Sequence, residues 1–201
     1  NKGLLLPVME EFYSLQGEGT HTGKPAWFLR IGGCDVGCHW CDVKESWNPL
    51  AHPLVSIDSI INNVIKTPAK SVVVTGGEPL QFNLNALCNS LHQNGLTLFL
   101  ETSGSQSLSG KWDWICLSPK RNSPPLPEIY EVANELKVII ADEKDFEWAE
   151  FNADKINNSC KLLLQPEWSV RHKILPLIID YILYNTKWSL SLQSHKYIGI
   201  P

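Results

Sequence analysis

Cys34, Cys38 and Cys41 form a C-x3-C-x2-C run inside the loop-like stretch Gly32-Gly33-Cys34-Asp35-Val36-Gly37-Cys38-His39-Trp40-Cys41-Asp42. Three thiolates at this spacing can each bind one iron of a cubane 4Fe–4S cluster and leave the fourth iron without a protein ligand. A cluster kept only for electron transfer normally has all its irons ligated. The vacancy therefore points to an iron that meets a small molecule. Other chemistry stays open on the triplet alone. A disulfide set would leave an odd thiol, and core cysteines occur singly. A structural zinc would need a fourth ligand; His21 or His52 could supply one, while His39 beside Cys38 would chelate awkwardly.

The second motif is Gly76-Gly77-Glu78-Pro79, reached directly from the β-branched run Ser71-Val72-Val73-Val74-Thr75, which reads as a buried strand. Paired glycines let a backbone approach a ligand closely and present its carbonyls. Alone, the segment could equally be an ordinary strand-to-helix turn. With the cysteine loop one predicted helix and one strand before it, the combination resembles the radical SAM enzymes. In that family the open iron binds the amino and carboxylate groups of S-adenosylmethionine (SAM) and passes it an electron, giving a 5′-deoxyadenosyl radical. The Gly-Gly-Glu-Pro segment contacts the SAM amino group.

The elements that must position these motifs alternate along the chain. Strands are expected at 8–15, 26–31, 71–75, 97–101, 114–117, 135–140, 160–164 and 188–192. Helices are expected where Ile57, Ile60, Ile61, Val64 and Ile65 keep helical spacing up to Pro68, at 83–93 with Gly95 as C-cap, at 145–157, and at 170–185 across Pro176. Pro124-Pro125-Leu126-Pro127 reads as a surface connection. Alternation of this kind predicts a parallel sheet with right-handed crossovers. A closed eight-unit barrel takes about 250 residues. The 201 residues are therefore expected to form a single α/β domain, an open TIM-like barrel of roughly six parallel strands with eroded helices. Its site should lie at the C-terminal strand ends, where Thr75-Gly76-Gly77, Glu101-Thr102, Ser118-Pro119-Lys120 and Gln165-Pro166 all fall. Cys88, Cys116 and Cys160 read as small buried hydrophobes.

Over nearly its whole length the sequence resembles the 7-carboxy-7-deazaguanine synthases, the radical SAM family of queuosine and 7-deazapurine biosynthesis. The match runs from Glu11-Phe12-Tyr13-Ser14-Leu15-Gln16-Gly17-Glu18-Gly19 and Arg30 through the cysteine loop and the Gly-Gly-Glu-Pro segment. It continues through Glu101-Thr102-Ser103-Gly104, Ser118-Pro119-Lys120 and Gln165-Pro166 to His195-Lys196-Tyr197-Ile198-Gly199-Ile200-Pro201. The resemblance implies a lyase that converts 6-carboxy-5,6,7,8-tetrahydropterin to 7-carboxy-7-deazaguanine with loss of ammonia by radical ring contraction, SAM being regenerated. It implies Leu15, Gln16, Gly17, Glu18, Thr75, Glu101 and His195 around the pterin, and Arg30 on the substrate carboxylate, which its planar fork suits. Relatives of this type end close to Pro201, so its carboxylate is expected to accept from the amino-pyrimidine edge. On the SAM side it implies Trp40, Cys41, Asp42, Gly77, Glu78, Ser118, Pro119, Lys120, Gln165, Pro166, Glu167 and Trp168, with the 4Fe–4S cluster on the three cysteines.

One position departs from the family pattern. Relatives carry Thr or Ser after the Cys-Asp pair, and that hydroxyl ligates a magnesium ion bridging to substrate. Here the residue is Val43, which has no oxygen for a cation that demands hard oxygen ligands. No general base is assigned; Glu18 and Glu101 are the candidates.

A net charge of −4 and a pI near 5.9 argue against a nucleic-acid partner. The apolar start Leu4-Leu5-Leu6-Pro7-Val8-Met9 is short for a signal peptide and carries no cleavage pattern, and no stretch reaches transmembrane length. Free thiols in a metal motif suggest a reducing cytoplasm. The resemblance adds a homodimer and a one-electron donor such as flavodoxin or ferredoxin. Two further readings compete: a radical SAM activase acting on a partner protein, and a zinc-stabilised binding module without catalysis.

Overall fold

In the strands of this chain one residue parity is apolar and the other mixed, and that alternation sorts a single sheet into two unlike faces. The computed structural model describes residues 4–201. The elements are β1 (Leu5–Leu15), β2 (Pro25–Ile31), β3 (Leu54–Ser56), α1 (Ile57–Val64), β4 (Ser71–Gly76), α2 (Asn85–Gln93), β5 (Thr97–Thr102), β6 (Trp114–Leu117), α3 (Pro127–Val132), β7 (Glu135–Ile140), α4 (Lys144–Ala153), β8 (Lys161–Pro166), α5 (Arg171–Tyr184), β9 (Trp188–Leu190) and α6 (Ser194–Ile198).

The strands form one open sheet in the order β3-β1-β2-β4-β5-β6-β7-β8-β9. From β2 to β9 every neighbour is parallel, and β1 runs antiparallel to both β2 and β3. The open, mostly parallel sheet matches the expected class. Seven strands are parallel, close to the rough six expected, and a two-stranded antiparallel edge is added to them. The short β3 escapes periodicity, because three residues do not establish a period of two.

Leu29, Ile31, Val72, Val74, Leu98, Leu100, Leu117, Leu136, Val138, Ile140 and Leu164 all lie in the main core, on the face the helices cover. Helix α1 contributes Ile57, Ile60 and Val64, and its Ser56 N-cap oxygen accepts from the Ser59 amide at 3.2 Å. Helix α2 adds Leu87, Cys88 and Leu91, and Gly95 follows it with φ of +74°. The helix expected at 145–157 ends at Ala153, and α5 continues through Pro176. Cys160 corrects the reading of three buried cysteines: it precedes β8 and is only partly covered, whereas Cys88 and Cys116 are buried. No helix among the described residues is long and apolar enough to cross a membrane.

Candidate active site

The opposite parity faces the hollow of the sheet. Phe28 and Arg30 of β2, Val73 and Thr75 of β4, Glu101 of β5, Lys137 and Ile139 of β7 and Gln165 of β8 line one cavity. Register sets Arg30 beside Thr75 and Ile139 beside Gln165. The cavity opens at the C-terminal strand ends, where the cysteine loop, the β8–α5 connection and the α6 tail meet.

The cysteine loop is held by backbone. Gly33 N donates to Ser46 O at 2.6 Å and Cys34 N to Trp47 O at 3.2 Å, and Cys41 N closes a turn on Cys38 O at 3.1 Å. The end of β4 packs on this loop, with Gly77 N on Ile31 O at 3.0 Å and Glu78 N on Gly33 O at 2.8 Å. This packing explains the paired glycines. A Cβ on Gly76, where φ is +153°, would sit 2.0 Å from Ile31 O. One on Gly77 would sit 2.1 Å from Gly33 O and 2.8 Å from the Cys34 Cβ.

All three cysteines line the cavity. Burial, together with the charge of the neighbouring thiols, pushes Cys34 and Cys38 up from the ordinary thiol range. Three unpaired thiols on one loop, all turned to the same cavity wall, form a donor set that iron would hold as thiolates. The residues therefore fit a cluster on Cys34, Cys38 and Cys41.

Of the positions expected around SAM, Trp40, Cys41, Asp42, Gly77, Ser118, Lys120, Gln165, Pro166, Glu167 and Trp168 line the cavity, as does Val43. Two do not. Pro119 lies outside the lining. The Glu78 carboxylate is 1% exposed and turned into the fold: Oε1 accepts from Leu80 N at 3.1 Å and Thr102 Oγ1 at 2.6 Å, and Oε2 from Ser103 N at 2.8 Å and Ser103 Oγ at 2.5 Å. Its side chain ties the ends of β4 and β5 together, a structural use that a local reading of Gly-Gly-Glu-Pro does not reveal. Glu167 is similarly engaged, accepting from Ser169 N at 3.0 Å and Val170 N at 3.2 Å ahead of α5.

Leu15, Gln16, Gly17, Glu18, Arg30, Thr75, Glu101, His195 and Pro201, the positions expected around the pterin, line the same cavity. Arg30 donates Nε to Glu10 Oε1 at 2.6 Å, which leaves the outer edge of its fork facing the cavity. The tail docks on Gly17. Ser194 N and Oγ both donate to Gly17 O, at 2.8 and 2.9 Å, and a Cβ on Gly17 would meet His195 Nδ1 at 2.1 Å. Gln193 Nε2 donates to Glu18 Oε1 at 2.9 Å, and Lys196 Nζ pairs with Asp42 at 2.6 Å. The tail thus bridges the Gln16–Glu18 loop and the cysteine loop. Burial lowers the His195 pKa, with nearby Glu18 opposing.

Lys137 is the residue that reading the sequence missed. A lysine inside the run Glu135-Leu136-Lys137-Val138-Ile139-Ile140 was the available signal, since a buried strand admits a charge only for a partner. Its ammonium lies 2.5 Å from Glu18 Oε2 and 2.9 Å from Glu101 Oε2. Burial raises Glu18, but the charge and hydrogen bond of Lys137, with bonds from Gln165 and Gln193, outweigh it and bring the pKa to about 2. At Glu101 burial prevails, helped by Glu135 and Glu18, and the pKa rises despite Lys137.

Known proteins agree with this geometry. Residues 15–107 match the family described as a 4Fe-4S single cluster domain. The chain is 54% identical over its full length, and over 95% of the relative, to the 7-carboxy-7-deazaguanine synthase of Flavobacterium psychrophilum. It is 48% identical to that of Synechocystis sp. over 96% of this chain and 93% of the relative. The crystal structure of QueE from Escherichia coli superposes with a TM-score of 0.84 at 30% identity, covering 95% of each chain. With such identity across the whole of both chains, this protein belongs to the 7-carboxy-7-deazaguanine synthase family of radical SAM enzymes.

Proposed function

We propose that the chain is a carbon–nitrogen lyase that converts 6-carboxy-5,6,7,8-tetrahydropterin to 7-carboxy-7-deazaguanine and ammonia, with SAM as a regenerated cofactor. One observation carries this reading: a single cavity brings the three cysteines and Gly77 together with Gln16, Glu18, Arg30, Glu101 and His195. The cluster on Cys34, Cys38 and Cys41 and the SAM beside it would supply the 5′-deoxyadenosyl radical that takes hydrogen from the substrate.

The chain's own residues do the positioning. The Gln16 side-chain amide offers a donor to a flat heterocycle, and the docked tail, bonded to Gly17 O, holds the loop that carries it. Glu18, held anionic, accepts from the amino-pyrimidine edge. Arg30, oriented by Glu10, presents its free edge to the substrate carboxylate. His195, on the other side of Gly17, closes the pocket against water. Gly77 and the backbone of 40–42 face the methionine and adenine ends of SAM.

Val43 lines the cavity where a hydroxyl ligand would stand, so any magnesium is held by substrate and water alone. We infer a weak magnesium requirement on that ground. Asp35, Gly37 and His39 expose the cysteine loop at the surface, which suits electron delivery by a small donor such as flavodoxin or ferredoxin. Exposed Leu5 and Leu54 at the β1–β3 edge suit a homodimer, and the partly buried cysteines suit a cytoplasmic enzyme. The test is anaerobic incubation of the reconstituted protein with reductant, SAM and the carboxypterin, followed by mass spectrometry. A product lighter than substrate by ammonia is expected; intact pterin with SAM cleaved would overturn the assignment.

A further inference from the structure

The floor of the cavity is more polar than substrate recognition needs. Behind Glu18 and Glu101 stand Cys116 of β6 and Glu135 of β7, and the ligand atoms of Glu101, Cys116 and Glu135 lie within 4.8 Å of one another. Glu135 is 2% exposed and accepts from Thr20 N at 2.9 Å. Three carboxylates in so little solvent repel one another unless a cation joins them. The Lys137 ammonium joins two of them, Glu18 and Glu101, while Glu135 rests on the Thr20 amide. The Lys137 side chain is 5% exposed against 18% for Glu18 and 20% for Glu101, so it lies beneath the two carboxylates rather than at the cavity mouth.

We propose that Lys137 is a positioning residue for the reaction, clamping Glu18 and Glu101 in one buried ion pair so that Glu18 stays a fixed anionic acceptor while Glu101 carries a proton between substrate atoms. This inference rests on the reaction proposed above. Loss of ammonia breaks a C–N bond, and the departing nitrogen needs a proton that a ring carbon must give up. The Glu101 oxygen takes the proton from carbon. The C–H electron pair becomes the new ring double bond as the C–N pair leaves with nitrogen. Glu101 then protonates that nitrogen and is again a carboxylate, so no oxidant or reductant enters the step.

The geometry separates the two carboxylates. Glu18 has both oxygens engaged, Oε1 by Gln193 at 2.9 Å and Oε2 by Lys137 at 2.5 Å. Glu101 is held more loosely, with Oε2 on Lys137 at 2.9 Å and Oε1 accepting a long bond from Gln16 Nε2 at 3.5 Å beside the Cys116 thiol. The shifts agree in direction, with Glu18 lowered to about 2 and Glu101 raised. The other titratable groups facing this cluster are Cys116, whose thiol burial pushes well up, Glu135, Lys120 and His195.

The test uses the reconstituted full chain. In Lys137→Met the Glu101 carboxyl loses its cation, so the acid limb of the kcat profile moves to higher pH by about one to three units. At neutral pH kcat falls by about 100-fold, the low end of general acid–base contributions, and KM changes far less. Lys137→Arg, which keeps the charge, returns the limb toward its wild-type position. Adding Lys137→Met to Glu101→Gln costs little further kcat, because the lysine acts on the proton transfer through the Glu101 carboxyl it holds; the freed Glu18 shows in KM. If Lys137→Met alone does not fold, this double variant, with no carboxyl left unpaired at position 101, makes the same comparison against Glu101→Gln. An unmoved pH limb with a rise in KM alone, or full additivity in the double variant, overturns the inference. A wild type that neither makes 7-carboxy-7-deazaguanine nor binds it, read by tryptophan quenching in the cluster-free protein, overturns the reaction itself and the inference with it.

Discussion

Replacing Glu78 by glutamine separates a structural use of the Gly-Gly-Glu-Pro glutamate from a ligand-binding one. The carboxylate accepts four bonds in a site that is 1% exposed, two at each oxygen. A glutamine must place its NH2 against one of these pairs. Thr102 Oγ1 or Ser103 Oγ can turn to accept, but the amide of Leu80 or of Ser103 cannot. One buried N–H is then orphaned and one bond to a charged acceptor is lost, together about 4 kcal/mol. For a chain of this size that lowers Tm by about 10 °C. The assay is thermal unfolding of the cluster-free protein, with SAM affinity of the reconstituted protein measured below the transition. The expected result is a large fall in Tm with SAM affinity within a factor of about three. A Tm within about 2 °C of wild type, coupled to loss of SAM binding, would show that the glutamate serves the cofactor and that the bonding here is misassigned.

Three other outcomes follow from the site. Gly77→Ala places a Cβ 2.1 Å from Gly33 O, a backbone atom that can move only with its loop, so the cysteine loop shifts and iron per chain after reconstitution drops well below wild type; full iron loading would refute it. Glu18, held at about 2 against an ordinary 4.5, contributes roughly 3 kcal/mol of stability. Because its folded pKa is depressed, that stability is complete above about pH 4.5 and is lost as pH falls toward 2. Glu18→Gln should therefore flatten the urea stability curve across that window, and an unchanged slope would contradict the ion pair. Chelation of magnesium should slow the wild type by less than about threefold, while Val43→Thr, by restoring an oxygen ligand, should make the rate more responsive to the ion. An equally steep requirement in both forms would refute the assignment to Val43.

Much of the fold was legible because strand-like runs alternate with helical ones, and the strands that build the cavity also sort by parity. Val72 and Val74 face the helices while Val73 and Thr75 face the hollow, and Leu136 and Val138 alternate with Lys137 and Ile139 in the same way. The alternation of strands with helical runs such as Ile57–Val64 predicts a parallel sheet, and 201 residues, short of a closed barrel, predict an open one. The antiparallel edge was less visible: β3 is three residues long, and β1 pairs with it over only Leu5 to Pro7. The α6 turn was hidden because its contacts are to Gly17, Glu18 and Asp42, more than 150 residues away.

The site was legible where backbone carries it and illegible where side chains choose partners. The need for Gly77 follows from close approach, and any local reading finds it. Glu78 reads as a ligand only until Thr102 and Ser103 are seen beside it. Lys137 has no motif around it, and its role depends on Glu18 and Glu101 arriving from two other segments.

The most direct test of the central claim is the ratio of 7-carboxy-7-deazaguanine formed to 5′-deoxyadenosine released, in an anaerobic incubation with carboxypterin in excess and SAM limiting. Many product molecules are expected for each SAM consumed, since the cofactor is regenerated. One SAM cleaved per product would contradict that regeneration, and deoxyadenosine without any ring-contracted product would contradict the pterin reaction.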